Sequence, residues 1–136
     1  MFSIDYHDLI KLVVALLLGG IIGAERERYK KDAGLRTTIL ITMGSTLFTI
    51  MSIKMSGNYL DASRIASNIA PGIGFLGAGV IIQERGKIKG LTTAATIWIS
   101  AAIGMACGIS QFVLAAFVTL LTIIVLVIFS KFEDKK

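Results

Sequence analysis

The sequence predicts an all-α membrane protein: five transmembrane helices in one bundle, with the N-terminus outside and the C-terminus in the cytoplasm. Three observations carry that expectation. Of its 136 residues, 54% are hydrophobic, and the mean hydropathy of +0.77 is too apolar for an ordinary soluble domain. The apolar residues fall into five runs of spanning length. The Lys and Arg residues collect on one side of the topology those runs imply.

A bilayer core of about 30 Å needs roughly 17–25 helical residues, which places the spans at about 6–26, 37–53, 63–82, 91–108 and 112–130. The first begins near Tyr6 and includes Lys11, whose stem can snorkel to the headgroups. The last two runs make one nearly uncharged stretch too long for a single span, and Gly108-Ile109-Ser110-Gln111 is the natural turn between them. A chain of this length holds one domain, residues 1–136.

The net charge is +5, and its distribution matters more than its size. With five spans, one side holds only Lys11, Lys54 and Arg64. The other holds Arg26, Arg28, Lys30, Lys31, Arg36, Arg85, Lys87, Lys89, Lys131, Lys135 and Lys136. Such a bias orients the first and third loops and the C-terminal end toward the cytoplasm. The basic face therefore reads as a topology signal and an anionic-lipid contact, and no nucleic-acid partner is expected.

Several chemistries are excluded. Met1 to Asp8 is acidic rather than basic, so the first run is a retained span and not a cleaved signal peptide. Cys107 and His7 are each the single residue of their type, which removes disulfide and multi-histidine metal sites. The letters G-x-G-x-x-G occur within Gly72-Ile73-Gly74-Phe75-Leu76-Gly77, but no βαβ unit surrounds them and no acid follows at the required distance. No catalytic set, cofactor or confident metal site is expected, and the protein reads as no enzyme.

In a membrane helix, dense small residues allow close backbone approach. Gly19-xxx-Gly23, the Pro71 to Gly79 stretch and Ser100-xxx-Gly104-xxx-Gly108 should form the tight interior, while Phe112 to Phe129 should face lipid. Such small-residue faces also fit a homo-oligomer. Pro71 removes a backbone bond from a helix running from about Ser63, beside the amide of Asn68. That break, with Asn68, Pro71, Gly72, Gly74 and Gly77, is either a re-satisfied kink or an ion site of the discontinuous-helix kind.

The first loop concentrates charge of both signs. Glu25, Arg26, Glu27 and Arg28 continue the first helix beyond the apolar boundary, placing Glu25 with Arg28 and Glu27 with Lys31 on shared faces. Arg36 stands at a helix start, where the dipole disfavours a cation, so it wants a carboxylate from Glu25, Asp32 or Glu84. Thr37, Thr92 and Thr93 sit at the same helix starts, where hydroxyls cap or line a polar pocket. Glu84-Arg85 and Gly90-Leu91-Thr92-Thr93 echo Glu25-Arg26 and Gly34-Leu35-Arg36-Thr37-Thr38, a modest parallel pseudo-repeat. The expected functional rim is thus Glu25, Arg26, Arg28, Asp32, Arg36, Thr37, Glu84, Arg85, Thr92 and Thr93.

Four motifs in order resemble the MgtC/SapB family of bacterial inner-membrane proteins: Gly23-x-Glu25-Arg26, Ala33 to Thr37, Gly72 to Val80 and Gly90 to Trp98. The likeness runs from about Leu12 to Gln111, with Thr92 where other members carry Asn or Thr. It implies five spans with the N-terminus outside, and links to magnesium homeostasis, stress adaptation and virulence. It further implies action on other membrane proteins, including the F-type ATP synthase. Longer members carry a cytoplasmic ACT-like domain after the fifth span, and the present sequence is read as a short member without it. The leading expectation is a non-enzymatic protein of ion homeostasis that works by contacting membrane partners. The alternative is a cation transporter or channel using the Asn68/Pro71 break with the Glu25 and Glu84 carboxylates.

Overall fold

Glu, Arg, Leu and Ala favour helix while Gly34, Gly86 and Gly90 interrupt it, and the observed elements follow that punctuation. The chain, described by a computed structural model over residues 5–56, 63–64 and 67–133, runs α1 (Tyr6–Arg28), α2 (Leu35–Met55), α3 (Ile69–Gly79), β1 (Ile82–Glu84), β2 (Lys87–Lys89), α4 (Leu91–Gly108) and α5 (Phe112–Glu133). Among the described residues α1, α2, α4 and α5 are long and apolar enough to cross a membrane. The protein is an α-helical membrane protein.

Of the third expected span, 63–82, residues 63–64 are helical and 65–66 lie outside the described residues. Helix α3 then has 11 residues, about 16 Å of rise and about half a bilayer core, before Ile82 opens a strand. Pro71 is the third residue of α3, inside the first turn, where backbone N–H groups lack an intrahelical partner in any case. It therefore breaks no bond in mid-helix. Asn68 is the N-cap residue; its Nδ2 donates to the Arg64 carbonyl at 2.9 Å, and the Ser67 hydroxyl donates to the same carbonyl at 2.8 Å. The Asn68 amide and the Ser67 hydroxyl beside the expected break are thus both bonded within their own segment.

The third loop also departs from an all-α description. β1 and β2 pair antiparallel, Ile82 with Lys89 and Glu84 with Lys87. Arg85 (φ 49) and Gly86 (φ 74) supply the two positive φ values that a two-residue I′ turn demands. Gly90 (φ 88) then starts α4, and a side chain there would strike the Val80 carbonyl.

The core is built around α2, which packs against both α1 and α4. Gly19 and Gly23 of α1 admit Thr42 and Thr38, and Gly104 and Gly108 of α4 admit the backbone and side chains of Thr42 to Thr49. At this range hydroxyls replace apolar packing. Thr38, Thr42, Ser45, Thr46, Thr49 and Ser52 are all buried. Most bond back to their own helix, but the Thr42 hydroxyl also reaches the Ala15 carbonyl at 2.9 Å. That of Thr46 donates across to the Gly104 carbonyl at 2.8 Å. Because each hydroxyl also has an acceptor in its own helix, an interhelical bond contributes only about 0.6–2 kcal/mol.

Around this three-helix centre, α5 closes an apolar cluster of Ala15, Leu18, Ile22, Ile103, Cys107 and Leu126. Its outer face leaves Val113, Phe117, Leu120, Val125 and Phe129 exposed, as expected of a lipid-facing helix. α3 packs on α4 through Ile69, Ile97 and Ala101. At the end opposite the first loop, Asp8 accepts from Lys11 at 3.3 Å and Lys54 at 2.6 Å, tying α1 to α2. Asp8→Asn is expected to lower thermal stability in detergent by about 1 kcal/mol. An unchanged melting temperature would show that this clasp contributes nothing.

Candidate functional site

The end of α1 and the starts of α2 and α4 meet at one rim. Helix α1 runs beyond its apolar segment because Glu25-Arg26-Glu27-Arg28 are strong helix formers. Lys30 (φ 53) and Ala33 (φ 55) then turn the chain in the left-handed region. Gly34 caps α2 without a side chain, and Glu27 substitutes for it: its Oε2 accepts the Leu35 N–H at 3.2 Å. That places a carboxylate at the positive end of the α2 dipole.

At the centre of the rim lies Arg26, only 4% exposed. Its Nη2 donates to the Thr93 hydroxyl of α4 at 2.7 Å, and its Nε to the Asp32 carbonyl in the first loop at 3.4 Å. One guanidinium therefore joins α1, the first loop and α4. Both acceptors are neutral. Beside it, Oε2 of Glu25 is buried without a hydrogen-bond partner among the described residues. A buried cation and a buried carboxylate oxygen lie adjacent in sequence without forming a bridge, although buried charges are ordinarily paired. Ionisable groups buried at such expense make this the candidate site of the fold.

The other rim candidates are less engaged. Arg36 is exposed and makes no hydrogen bond or ion pair among the described residues, which corrects its expected pairing with Glu25, Asp32 or Glu84. The reason is geometric: the α1 face that meets α2 ends in Arg26 rather than Glu25. Arg28 lies 5.9 Å over the Tyr29 ring, not paired with Glu25. Glu84 bonds Lys89 at 3.4 Å within the hairpin, both exposed, and Arg85 occupies the hairpin turn. The pseudo-repeat therefore fails at its charged pair, helical in one half and β in the other. Thr37 and Thr92 are exposed; Thr93 is buried and engaged.

Arg26 was legible as part of the rim but not as its centre. The signal was present in the spacing: Ala15, Leu18, Gly19, Ile22, Gly23 and Arg26 form one buried stripe at helical period.

A second feature is a groove of about 710 Å³ between α2 and α3, floored in part by Ile97 of α4. Leu40, Gly44 and Phe48 line one wall, and Gly72, Ile73 and Leu76 the other. Thr37 and Asn68 mark its two ends. The glycines of α3 do not behave as one packing set. Gly77 sits against Ala94, while Gly72, Gly74 and Gly79, like Gly44 of α2, face open space.

The sequence profile of the MgtC family matches residues 12–135. The chain belongs to the MgtC family. Within it, the chain is 48% identical over 104 residues to protein MgtC of Salmonella typhimurium LT2, a match covering 76% of this chain and 44% of that protein. It is 44% identical over 128 residues to YhiD of Escherichia coli K12, whose name describes a candidate magnesium transporter; that match covers 89% and 60%. Protein MgtC of Brucella abortus is 44% identical over 119 residues, covering 88% and 50%. This MgtC-family chain thus spans about half the length of the curated relatives it matches. No solved structure matches it.

Proposed function

We propose that the protein serves magnesium-linked homeostasis in a bacterial inner membrane as a non-enzymatic partner of other membrane proteins. In this reading the Arg26 rim faces the cytoplasm and is the contact. The observation that carries the reading is the junction of α1, the first loop and α4 on one buried guanidinium with only neutral acceptors. A partner that offers Arg26 a carboxylate, or Glu25 a cation, makes a bond the isolated protein lacks, and moves two helix ends and the first loop together. Binding that differs between two arrangements of a junction is what lets one membrane protein switch another. The name of the Escherichia coli relative supports the magnesium connection.

The test is co-purification from bacterial membranes of cross-linked partners with the wild-type chain and with Arg26→Gln. Loss of a partner from a variant that keeps its thermal transition supports the reading; an unchanged partner set overturns it.

A second reading, cation movement, is favoured by the unpartnered Glu25 oxygen. It expects flux of Mg²⁺, K⁺ or H⁺ in proteoliposomes that Glu25→Gln removes, and absence of flux from active, folded protein ends it.

A further inference from the structure

No described residue fills the α2–α3 groove, and its dimensions and ends specify a ligand. Thr37 and Phe48 line it at opposite ends; they are eleven residue steps apart on α2, about 16 Å at 1.5 Å per residue. One leaflet of a hydrocarbon core about 30 Å thick is about 15 Å deep. The groove is therefore as long as one leaflet's acyl chain. Its walls, Leu40 and Phe48 against Ile73 and Leu76, are mostly apolar, with the Ser45 hydroxyl between them.

Cations with no ion-pair partner among the described residues gather at the Thr37 end, whereas Arg64 stands one turn from Asn68 at the other. Arg36 stands one helical turn above Leu40, next to Thr37 at the groove end. Val80 lines the same groove, and the hairpin beginning two residues later carries Arg85 and Lys87. These three cations are exposed and have no carboxylate partner among the described residues. Lys89, by contrast, is already satisfied by Glu84. A cation at the first turn of α2 is unfavourable alone, because it adds to the positive end of the helix dipole. An external phosphate relieves both.

We propose that an anionic phospholipid, from the leaflet against this rim, seats one acyl chain in the α2–α3 groove with its phosphate at Arg36, Arg85 and Lys87. The open space at Gly44 and Gly72 is then the volume the chain occupies. The glycines are there to keep the walls apart from the lipid's methylenes, not to bring two helices together. This assignment stands whether or not the Arg26 rim binds other membrane proteins.

Those glycines also supply the test. Because a Cβ at either meets nothing within 4 Å and both positions line the groove, Gly44→Leu and Gly72→Leu should fill it at little expense to the fold. The full chain in detergent is titrated with phosphatidylglycerol or phosphatidylcholine of identical acyl chains, and bound lipid is counted by native mass spectrometry. The wild type is expected to retain phosphatidylglycerol in preference to phosphatidylcholine. Arg36→Gln should weaken phosphatidylglycerol binding about fivefold, the worth of one cation near an anionic headgroup. Gly44→Leu and Gly72→Leu should weaken both lipids while the melting temperature holds.

Equal retention of the two lipids by the wild type overturns the proposal. So does undiminished phosphatidylglycerol binding by both folded leucine variants. A wild-type dimer that Gly44→Leu converts to monomer overturns it too, by giving the groove to a second copy.

Discussion

Thr93→Val should destabilise the protein by about 2–3 kcal/mol, because it strips a buried guanidinium of its one short hydrogen bond. The opposite sign is expected for Arg26→Met, which keeps much of the stem volume and removes the charge. Replacing a buried ion by an apolar group of similar size is neutral or stabilising by about 1–4 kcal/mol when its compensation is poor. Arg26 has only the Thr93 hydroxyl at 2.7 Å and the Asp32 carbonyl at 3.4 Å. Combining the two substitutions should recover most of the Thr93→Val loss, since residues in direct contact couple by about 0.5–3 kcal/mol. Thermal unfolding in detergent measures all three. If Arg26→Met is as damaging as Thr93→Val, Arg26 is a structural residue and the proposed contact site loses its main support. If Arg26→Met is more stable but loses its partners, the protein carries this charge for binding, at the expense of stability.

Gly104→Ala should be among the most damaging small changes in the chain. A Cβ there overlaps the Thr42 carbonyl oxygen and comes within 2.8 Å of the Ser45 Cβ. Neither the α2 backbone nor a β-carbon can rotate away, so α2 and α4 must separate, stretching the bond from the Thr46 hydroxyl to the Gly104 carbonyl. Overpacking of this kind costs about 1–3 kcal/mol, and the strained interhelical bond adds about 0.6–2 kcal/mol. Gly72→Ala makes the contrast. It too is a helical glycine, but its Cβ meets nothing, so only helix propensity changes and a gain of up to about 1 kcal/mol is expected. Similar melting temperatures for the two variants would contradict the packing described here. As a set the glycines of the sequence read as one kind of residue. The structure separates those that admit a neighbouring backbone from those that leave room.

The same division runs through the whole fold. Hydropathy is additive along the chain, so the four long helices and the lipid-facing character of α5 follow from composition. Helical period carried the buried stripe of α1 through Arg26, and the small-residue spacing marked α1 and α4 as close-packing helices, but it put the Pro71 to Gly79 stretch in the interior where α2 stands instead. The hairpin was also written locally: Arg85-Gly86 between two short runs is a turn signal, obscured because Ile82 continues the preceding apolar stretch. The apolar run over 63–82 carried no mark of where the chain leaves α3 for the hairpin at Ile82.

What local pattern could not supply was pairing. Arg26 and Thr93 are 67 residues apart, and their meeting depends on how closely Gly23 and Gly104 let three helices approach. Arg36, with the stronger local reason to seek a carboxylate, finds none because its side of α2 faces away from α1. Nor does any run of residues announce a groove, which arises where α3 packs on α4 and leaves α2 uncovered. Helices form from their neighbours in sequence, within a few residues. Which buried charge is satisfied, and which surface stays empty, depends on distances between helices, and only packing sets those.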